Sequence, residues 1–245
     1  MIGVWRVLAL VVLAQAAACA AASETDQAPA VAVRQIVTLS NASRLGSPEG
    51  KALLGGEFAK FNGASFGPLG KPGEPVMQGA SDAVVRFAAN SSVQFDAYFF
   101  LHRETHGWVL RAARTLALPQ FVFLLRDQLR AKAERTSKDA ATLRNLELTT
   151  RSDAELRDWF VNHRVALDRM RGLNADAARH AAEEIDALIV ETDANAYQRV
   201  VLGGILDNSV GFLFVPHDKP PPTMSASDYI WIESVGYGWH LFKTT

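Results

Sequence analysis

Apolar residues recur along this chain at two spacings, and the switches between them predict where helices give way to strands. Val33 to Leu39 reads as a strand or a short lead-in. Ser47-Pro48-Glu49 then has the form of a helix start, with serine as cap and proline at the first helical position. Leu53, Leu54, Phe58 and Phe61 follow at helical spacing. Gly55-Gly56 interrupts them, at about 1 kcal/mol per glycine relative to alanine. Glycine and proline recur from Asn62 to Gly79, which predicts a long loop. The period then drops to two. Ala83 to Ala88 is one predicted strand and Val93 to His102 a second. In the second, Val93, Phe95, Ala97, Phe99 and Leu101 form an apolar face, and Gln94, Asp96, Tyr98, Phe100 and His102 a mixed one. Arg103 to Gly107 reads as a turn, and Trp108 to Leu118 as the returning partner of a hairpin.

Pro119 ends that strand and opens a helix whose inward stripe is Phe121, Leu124, Leu125 and Leu129. Ala131 to Thr149 is charged and is left unassigned. Ser152-Asp153-Ala154-Glu155 is a capping-box pattern. The helix it begins takes its apolar positions from Leu156, Trp159, Phe160, Val165, Leu167 and Met170 and stops at Gly172. Another helix is predicted from Asn174 or Ala175 to about Val190, with Ala178, Ala182, Ile185 and Leu188 inward. The last third returns to strands: Val200 to Leu206, Val210 to Val215, Tyr229 to Glu233 and Trp239 to Thr244. Asp207-Asn208-Ser209 and Val235 to Gly238 are their turns, and Pro216 to Ser227 a proline-rich loop.

Strands in two groups, separated by helices rather than alternating with them, imply an α+β fold with a mostly antiparallel sheet and packed helices. Asp96-Ala97-Tyr98-Phe99-Phe100 leading to Gly107-Trp108 echoes Asp228-Tyr229-Ile230-Trp231-Ile232 leading to Gly238-Trp239. The echo raises a duplicated helix-plus-sheet unit as an option beside two ordinary hairpins that look alike. Over Ser47 to Leu118, a helix followed by a hairpin with Gly107-Trp108 resembles the cone-shaped, cystatin-like module named after nuclear transport factor two, found in many exported bacterial proteins. The Asn62 to Gly79 loop departs from that compact pattern. The resemblance implies a helix capping a curved sheet over a pocket, which serves catalysis in some members and binding in others.

The first 22 residues carry a different logic. Arg6, the apolar run Val7 to Leu13 and the small residues Ala16 to Ala22 are the three parts of a secretory signal peptide. A span needs roughly 20 apolar residues, and this run is shorter. The expected organisation is therefore a signal over 1–22, a flexible tether over 23–32 and one α+β domain over 33–245. Cleavage after Ala22 would release a periplasmic or secreted protein. Ala16-Ala17-Ala18-Cys19 resembles the lipobox of bacterial lipoproteins, although Ala16 stands where leucine is usual and Gln15 precedes it. That makes Cys19 a candidate lipidation site, with a lipid anchor in the cell envelope as the alternative.

Composition narrows the chemistry. Apolar residues make up 49% of the chain and charged ones 21%, an ordinary globular balance. Lys plus Arg is 25 and Asp plus Glu 26, so charge provides no drive toward nucleic acid. Cys19 is the only cysteine, so the expected mature chain has no disulfide and no thiol-based zinc site. His102-Arg103-Glu104-Thr105-His106 lacks the His-Glu-x-x-His order of a zinc protease and falls on a turn. His217-Asp218 lies in the proline-rich loop and His240 on a strand. Glu183, Glu184 and Asp186 with Arg179, and Asp168 with Arg164, read as solvated helical ion pairs. Asp96, in a strand of aromatics, is a candidate general base if buried and an exposed strand residue if alternation holds. Arg111 and Arg114 can meet an anion or face solvent. No nucleophile elbow, Ser-x-x-Lys or phosphate loop is present; Gly67 to Pro72 lacks the phosphate-loop spacing. No catalytic set assembles, no metal or other cofactor is implied, and a membrane partner follows only from acylation of Cys19. The expected role is a non-enzymatic binding or envelope-associated module. The alternative is a small hydrolase or isomerase with a pocket over the aromatic sheet.

Overall fold

The computed structural model describes residues 28–60, 63, 65–67, 69–89, 96–116, 118–173, 175–193 and 197–245. They form an α+β fold with two antiparallel sheets of four and five strands. The chain divides into two compact units. One holds the described residues up to Val85 together with Phe99–Ala112; the other holds Arg86–Tyr98 and Ala113–Thr245. No helix among the described residues is long and apolar enough to cross a membrane. Met1 to Ala22, with Cys19, lies outside the described residues.

The first unit opens with α1 (Pro29–Asn41), which has proline in its first turn. Its buried residues Ala32, Val33, Ile36 and Leu39 form one stripe at helical spacing. Val33 to Leu39 is thus helix rather than strand or lead-in. Val33, Ile36 and Leu39 suit either period at this length, and burial of one face decides between them. The helix also takes in Pro29–Ala32, the end of the expected tether, and Ala32 is buried. Ser47 caps α2 (Pro48–Lys51) by accepting the Gly50 N–H at 3.2 Å. The helix stops there, well short of Phe61. Gly55 N–H instead donates to the Leu110 carbonyl at 2.8 Å, and Leu110 N–H to the Leu53 carbonyl at 2.9 Å. Gly56 permits this course: its φ is +53°, and a Cβ there would sit 2.9 Å from the Arg111 carbonyl oxygen. The four-stranded sheet is β1 (Val76–Gln78), β2 (Asp82–Phe87), β3 (Ala97–Glu104) and β4 (Gly107–Arg114), in that order; Arg86–Phe87, Ala97–Tyr98 and Ala113–Arg114 of its strands belong to the second unit.

The second unit contains α3 (Gln120–Ala131), α4 (Ser137–Thr149), α5 (Asp153–Met170) and α6 (Ala175–Glu183), then β5 (Ile189–Thr192), β6 (Gln198–Ile205), β7 (Asn208–Phe214), β8 (Tyr229–Gly236) and β9 (Trp239–Thr244). The strand order is β5-β6-β7-β9-β8, so β9 is inserted between β7 and the edge strand β8. The two aromatic hairpins therefore occupy sheets of different strand order. Trp239 and Leu241 of β9 are fully buried, and sequestering a side chain of this kind contributes about 1.5–3 kcal/mol.

Helix orientations differ from the apolar pattern in instructive ways. In α3, Val122 and Leu129 are buried, whereas Phe121, Leu124 and Leu125 are exposed. The stripe that packs is set by α4, whose Leu146 joins Val122 and Leu129 in one cluster with Phe123, Leu143 and Ile205. The α4 helix itself starts at a capping box between Thr136 and Asp139. In α5 the expected inward residues are buried except Val165, which is exposed. The α6 helix ends at Glu183 rather than near Val190. Ala178, Ala182 and Ile185 are buried as the period requires, but Asp186 takes a φ of +58° and the chain leaves as β5. The α4 helix docks on β6 through Asn145, whose amide accepts from Gly204 N–H at 2.9 Å and donates to the Gly204 carbonyl at 3.1 Å.

Candidate functional site

The segment Thr150-Arg151-Ser152 joins α4 to α5, and its short caps fix two neighbouring groups of charged side chains. The first is internal. Ser152 accepts Glu155 N–H, and the Glu155 carboxylate accepts Ser152 N–H at 2.8 Å, completing the capping box. This places Asp153 in the first turn of α5, where a carboxylate meets the positive end of the helix dipole. The Asp153 N–H has no partner within the helix. It donates to Asp96 Oδ2 at 2.8 Å, while Asp96 Oδ1 accepts Ala89 N–H at 3.0 Å.

Lys243 of β9 completes the group. Its Nζ lies 2.7 Å from Asp153 Oδ1 and 3.5 Å from Asp96 Oδ2, and donates to the Arg151 carbonyl at 3.4 Å. Arg86 reaches Asp153 Oδ2 at 3.3 Å. Tyr98 donates its hydroxyl to the same carboxylate at 3.0 Å and stacks on Trp231 with ring centres 5.2 Å apart. Side-chain exposure is 2% for Asp96, 0% for Asp153 and 3% for Lys243. Burial, and then the charges of Asp153 and Asp96, hold the Tyr98 hydroxyl well above its usual pKa, so it stays a neutral donor. Two carboxylates face two cations, and each carboxylate oxygen, the Tyr98 hydroxyl and Lys243 Nζ has a partner. The arrangement ties the start of β3, the head of α5 and the end of β9 together. Buried groups of this kind fix one arrangement of the elements that carry them.

The second group is open to solvent. Arg144, Glu147 and Arg151 on the α4 side, Trp159 and His163 on α5, and Glu184 to Asp186 after α6 line a groove of about 180 Å³. Its accessible lining is mostly polar, and of its apolar lining residues Leu148, Ile185 and Trp159 are buried. His163 lies flat on the Trp159 indole, with centres 4.0 Å apart and planes 7° apart; Phe212 stacks on the same indole at 5.6 Å. His163 Nδ1 is 2.8 Å from the Trp159 carbonyl, which can only accept, so Nδ1–H donates to it. The acids are paired: Glu147 with Arg130 at 2.7 Å, Glu184 with Arg169 at 3.7 Å, and Asp186 with Arg144. The Arg151 guanidinium has no counter-ion among the described residues.

The candidates read from the sequence are dispersed. Asp96 is buried, against the alternation that puts it on the outer strand face, because the head of α5 closes over it. It meets Asp153 and Lys243 rather than a histidine. His102 pairs with Asp82 at 2.7 Å, Glu104 with Arg111 at 3.4 Å, and His106 is exposed at the turn. No group of three or more histidine, cysteine or acidic residues among the described residues is arranged to hold a metal ion. His217 and Asp218 are exposed. His240 is half-buried, its Nδ1 lacks a partner among the described residues, and burial lowers its pKa. Asp168 does pair with Arg164, at 3.0 Å, and also accepts the Trp239 indole N–H at 3.0 Å. Arg114 donates to the Ala226 carbonyl at 2.8 Å. Glu183 and Glu184 are exposed; the Arg179 side chain lies outside the described residues.

Sequence reasoning missed Arg151, Asp153, Trp159, His163 and Lys243 as site residues. Signals for them exist. The capping box puts Asp153 at a helix head. Trp159 and His163 are four residues apart on one helix face. Lys243 alternates with Trp239 and Leu241 and so shares their buried face. No family model, curated protein or solved structure matches this chain.

Proposed function

We propose that this chain is an exported, non-enzymatic binding module whose ligand site is the α4–α5 groove. One observation carries the reading. The groove is a concavity with a mostly polar lining, where charged and polar groups from α4, α5 and the segment after α6 converge, and convergent fixed polar groups of this kind orient a small ligand. The rim is preorganised, because the Thr150-Arg151-Ser152 link is held by helix caps at both ends. The groups best suited to acid–base chemistry, Asp96, Asp153 and Lys243, are instead engaged with one another. A thermal-shift screen of the mature protein tests the idea, since a ligand at 100 times its dissociation constant adds about 2.7 kcal/mol. Hits should perturb the Leu148 and Ile185 methyl resonances and be recovered unchanged. Chemical conversion of a hit would favour the hydrolase or isomerase reading.

The export half of the proposal rests on residues 1–22 and is tested by intact mass from the native host. A chain beginning at Ser23 fits release into the periplasm or medium. One beginning at an acylated Cys19 fits a lipid anchor, and one retaining Met1 refutes export.

A further inference from the structure

We infer that the groove takes a small ligand bearing a single oxyanion group, a carboxylate or a phosphate, held by Arg151 with His163 beside it. The inference rests on the groove being a ligand site and adds the chemistry of what fills it. Every acid on the rim is already neutralised by an arginine: Glu147 by Arg130, Glu184 by Arg169, Asp186 by Arg144. Arg151, a half-buried residue, is the cation left over: its guanidinium has no counter-ion among the described residues. Its backbone is pinned, since its carbonyl accepts from the buried Lys243 and its neighbours cap two helices. A guanidinium so placed presents a planar fork of donors that matches two oxygens of one anion.

Size and charge limit the rest of the ligand. A groove of about 180 Å³ has the volume of about six waters, so the ligand is of that order in heavy atoms. With Glu147, Glu184 and Asp186 paired, Arg151 is a single cation in excess and offers no partner to a second anionic group, which disfavours dicarboxylates and polyphosphates. The His163 ring, pressed flat on Trp159 with Nδ1–H given to the Trp159 carbonyl, has Nε2 for a polar group of the same ligand.

The test is titration of the mature protein with acetate and, separately, inorganic phosphate, read from the His163 imidazole resonances and the Leu148 and Ile185 methyls. Saturable shifts with either probe are expected, in the millimolar range for ligands this small. Acetate alone assigns a carboxylate ligand; phosphate alone assigns a phosphoryl one. Arg151→Gln should weaken binding by about tenfold or more, the usual consequence of losing hydrogen bonds to a charged group. Arg34→Gln, on the exposed face of α1, removes the same charge and should leave binding unchanged. If Arg151→Gln fails to fold, Arg151→Lys serves: it keeps the charge, loses the fork, and should weaken acetate more than phosphate. Equal binding by wild type and both Arg151 variants overturns the inference, as does absence of any shift with both anions. A neutral compound that shifts Leu148 and Ile185 when neither anion does would sink the oxyanion assignment and leave the site reading intact. If no ligand of any class perturbs the groove, both fall.

Discussion

Replacing Lys243 by methionine strands two carboxylates inside the protein. Lys243 and Met have similar length, so packing changes little and the electrostatic loss dominates. The variant leaves Asp96 and Asp153 with Tyr98, two backbone N–H groups and Arg86, whose 3.3 Å contact reaches Asp153 alone. Removing one member of a buried ion pair costs about 3–5 kcal/mol, because the remaining charge is neither solvated nor compensated. Against a total stability of about 5–15 kcal/mol this is a large share, and in a chain of this length it lowers Tm by about 6–20 °C. Urea unfolding at pH 7, followed by circular dichroism, measures it. The pH dependence supplies a second signature. With Lys243 gone, a carboxylate gains by protonating in the folded state, so the deficit should shrink as pH falls. Adding Asp96→Asn to Lys243→Met should recover part of the loss, because it removes the uncompensated charge. A deficit below about 1 kcal/mol for Lys243→Met, or one independent of pH, would show that the buried lysine does not compensate these acids.

Further consequences follow from the same geometry. Burial raises the Tyr98 pKa above its unfolded value of about 10, so its contribution is intact below that pH and is lost as pH rises through the folded pKa. Alkaline unfolding of Tyr98→Phe should therefore depend on pH less steeply than that of the wild type, by about one proton; equal slopes would refute this. Asp139, whose pKa is lowered to about 2 by Lys132 and then by Thr136, should stabilise the head of α4 at any pH above the unfolded carboxylate range and lose that effect as pH falls toward 2. Acid titration of Asp139→Asn against wild type should show the difference between them vanish at the acid end. Ser152→Ala removes the α5 cap and should cost about 1 kcal/mol in urea unfolding. Gly211→Ala places a Cβ 2.1 Å from the Val200 carbonyl oxygen in the adjacent strand, and should destabilise by about 1–3 kcal/mol or more; a wild-type Tm would contradict the packing.

The features that came through from residues alone are those governed by neighbours in the chain. Ser47 and Ser152 act as caps because a cap is a bond between residues three apart. The hairpin turn at Tyr237-Gly238 and the stop at Gly172 follow from local backbone freedom, with φ of +58°, +80° and +70° at these positions. The strands of the last third lie close to where alternation puts them, and the separation of strand groups by helices was enough for the α+β class. The physical reason is that these choices are settled within one turn or one pleat.

What only the tertiary structure decided is which apolar face finds a partner and which charges meet. Phe121, Leu124 and Leu125 form as good a stripe as Val122 and Leu129, and the position of α4 selects the second. Asp96 and Lys243 are 147 residues apart, and periodicity holds no term that brings them together. A carboxylate beside aromatics reads as outward-facing until the head of another helix supplies an N–H and a buried lysine a charge. Arg151 looks like one arginine among many until the acids near it are seen to be paired while it has no counter-ion among the described residues. Such pairings are long-range sums over the folded chain, and only the packed molecule evaluates them.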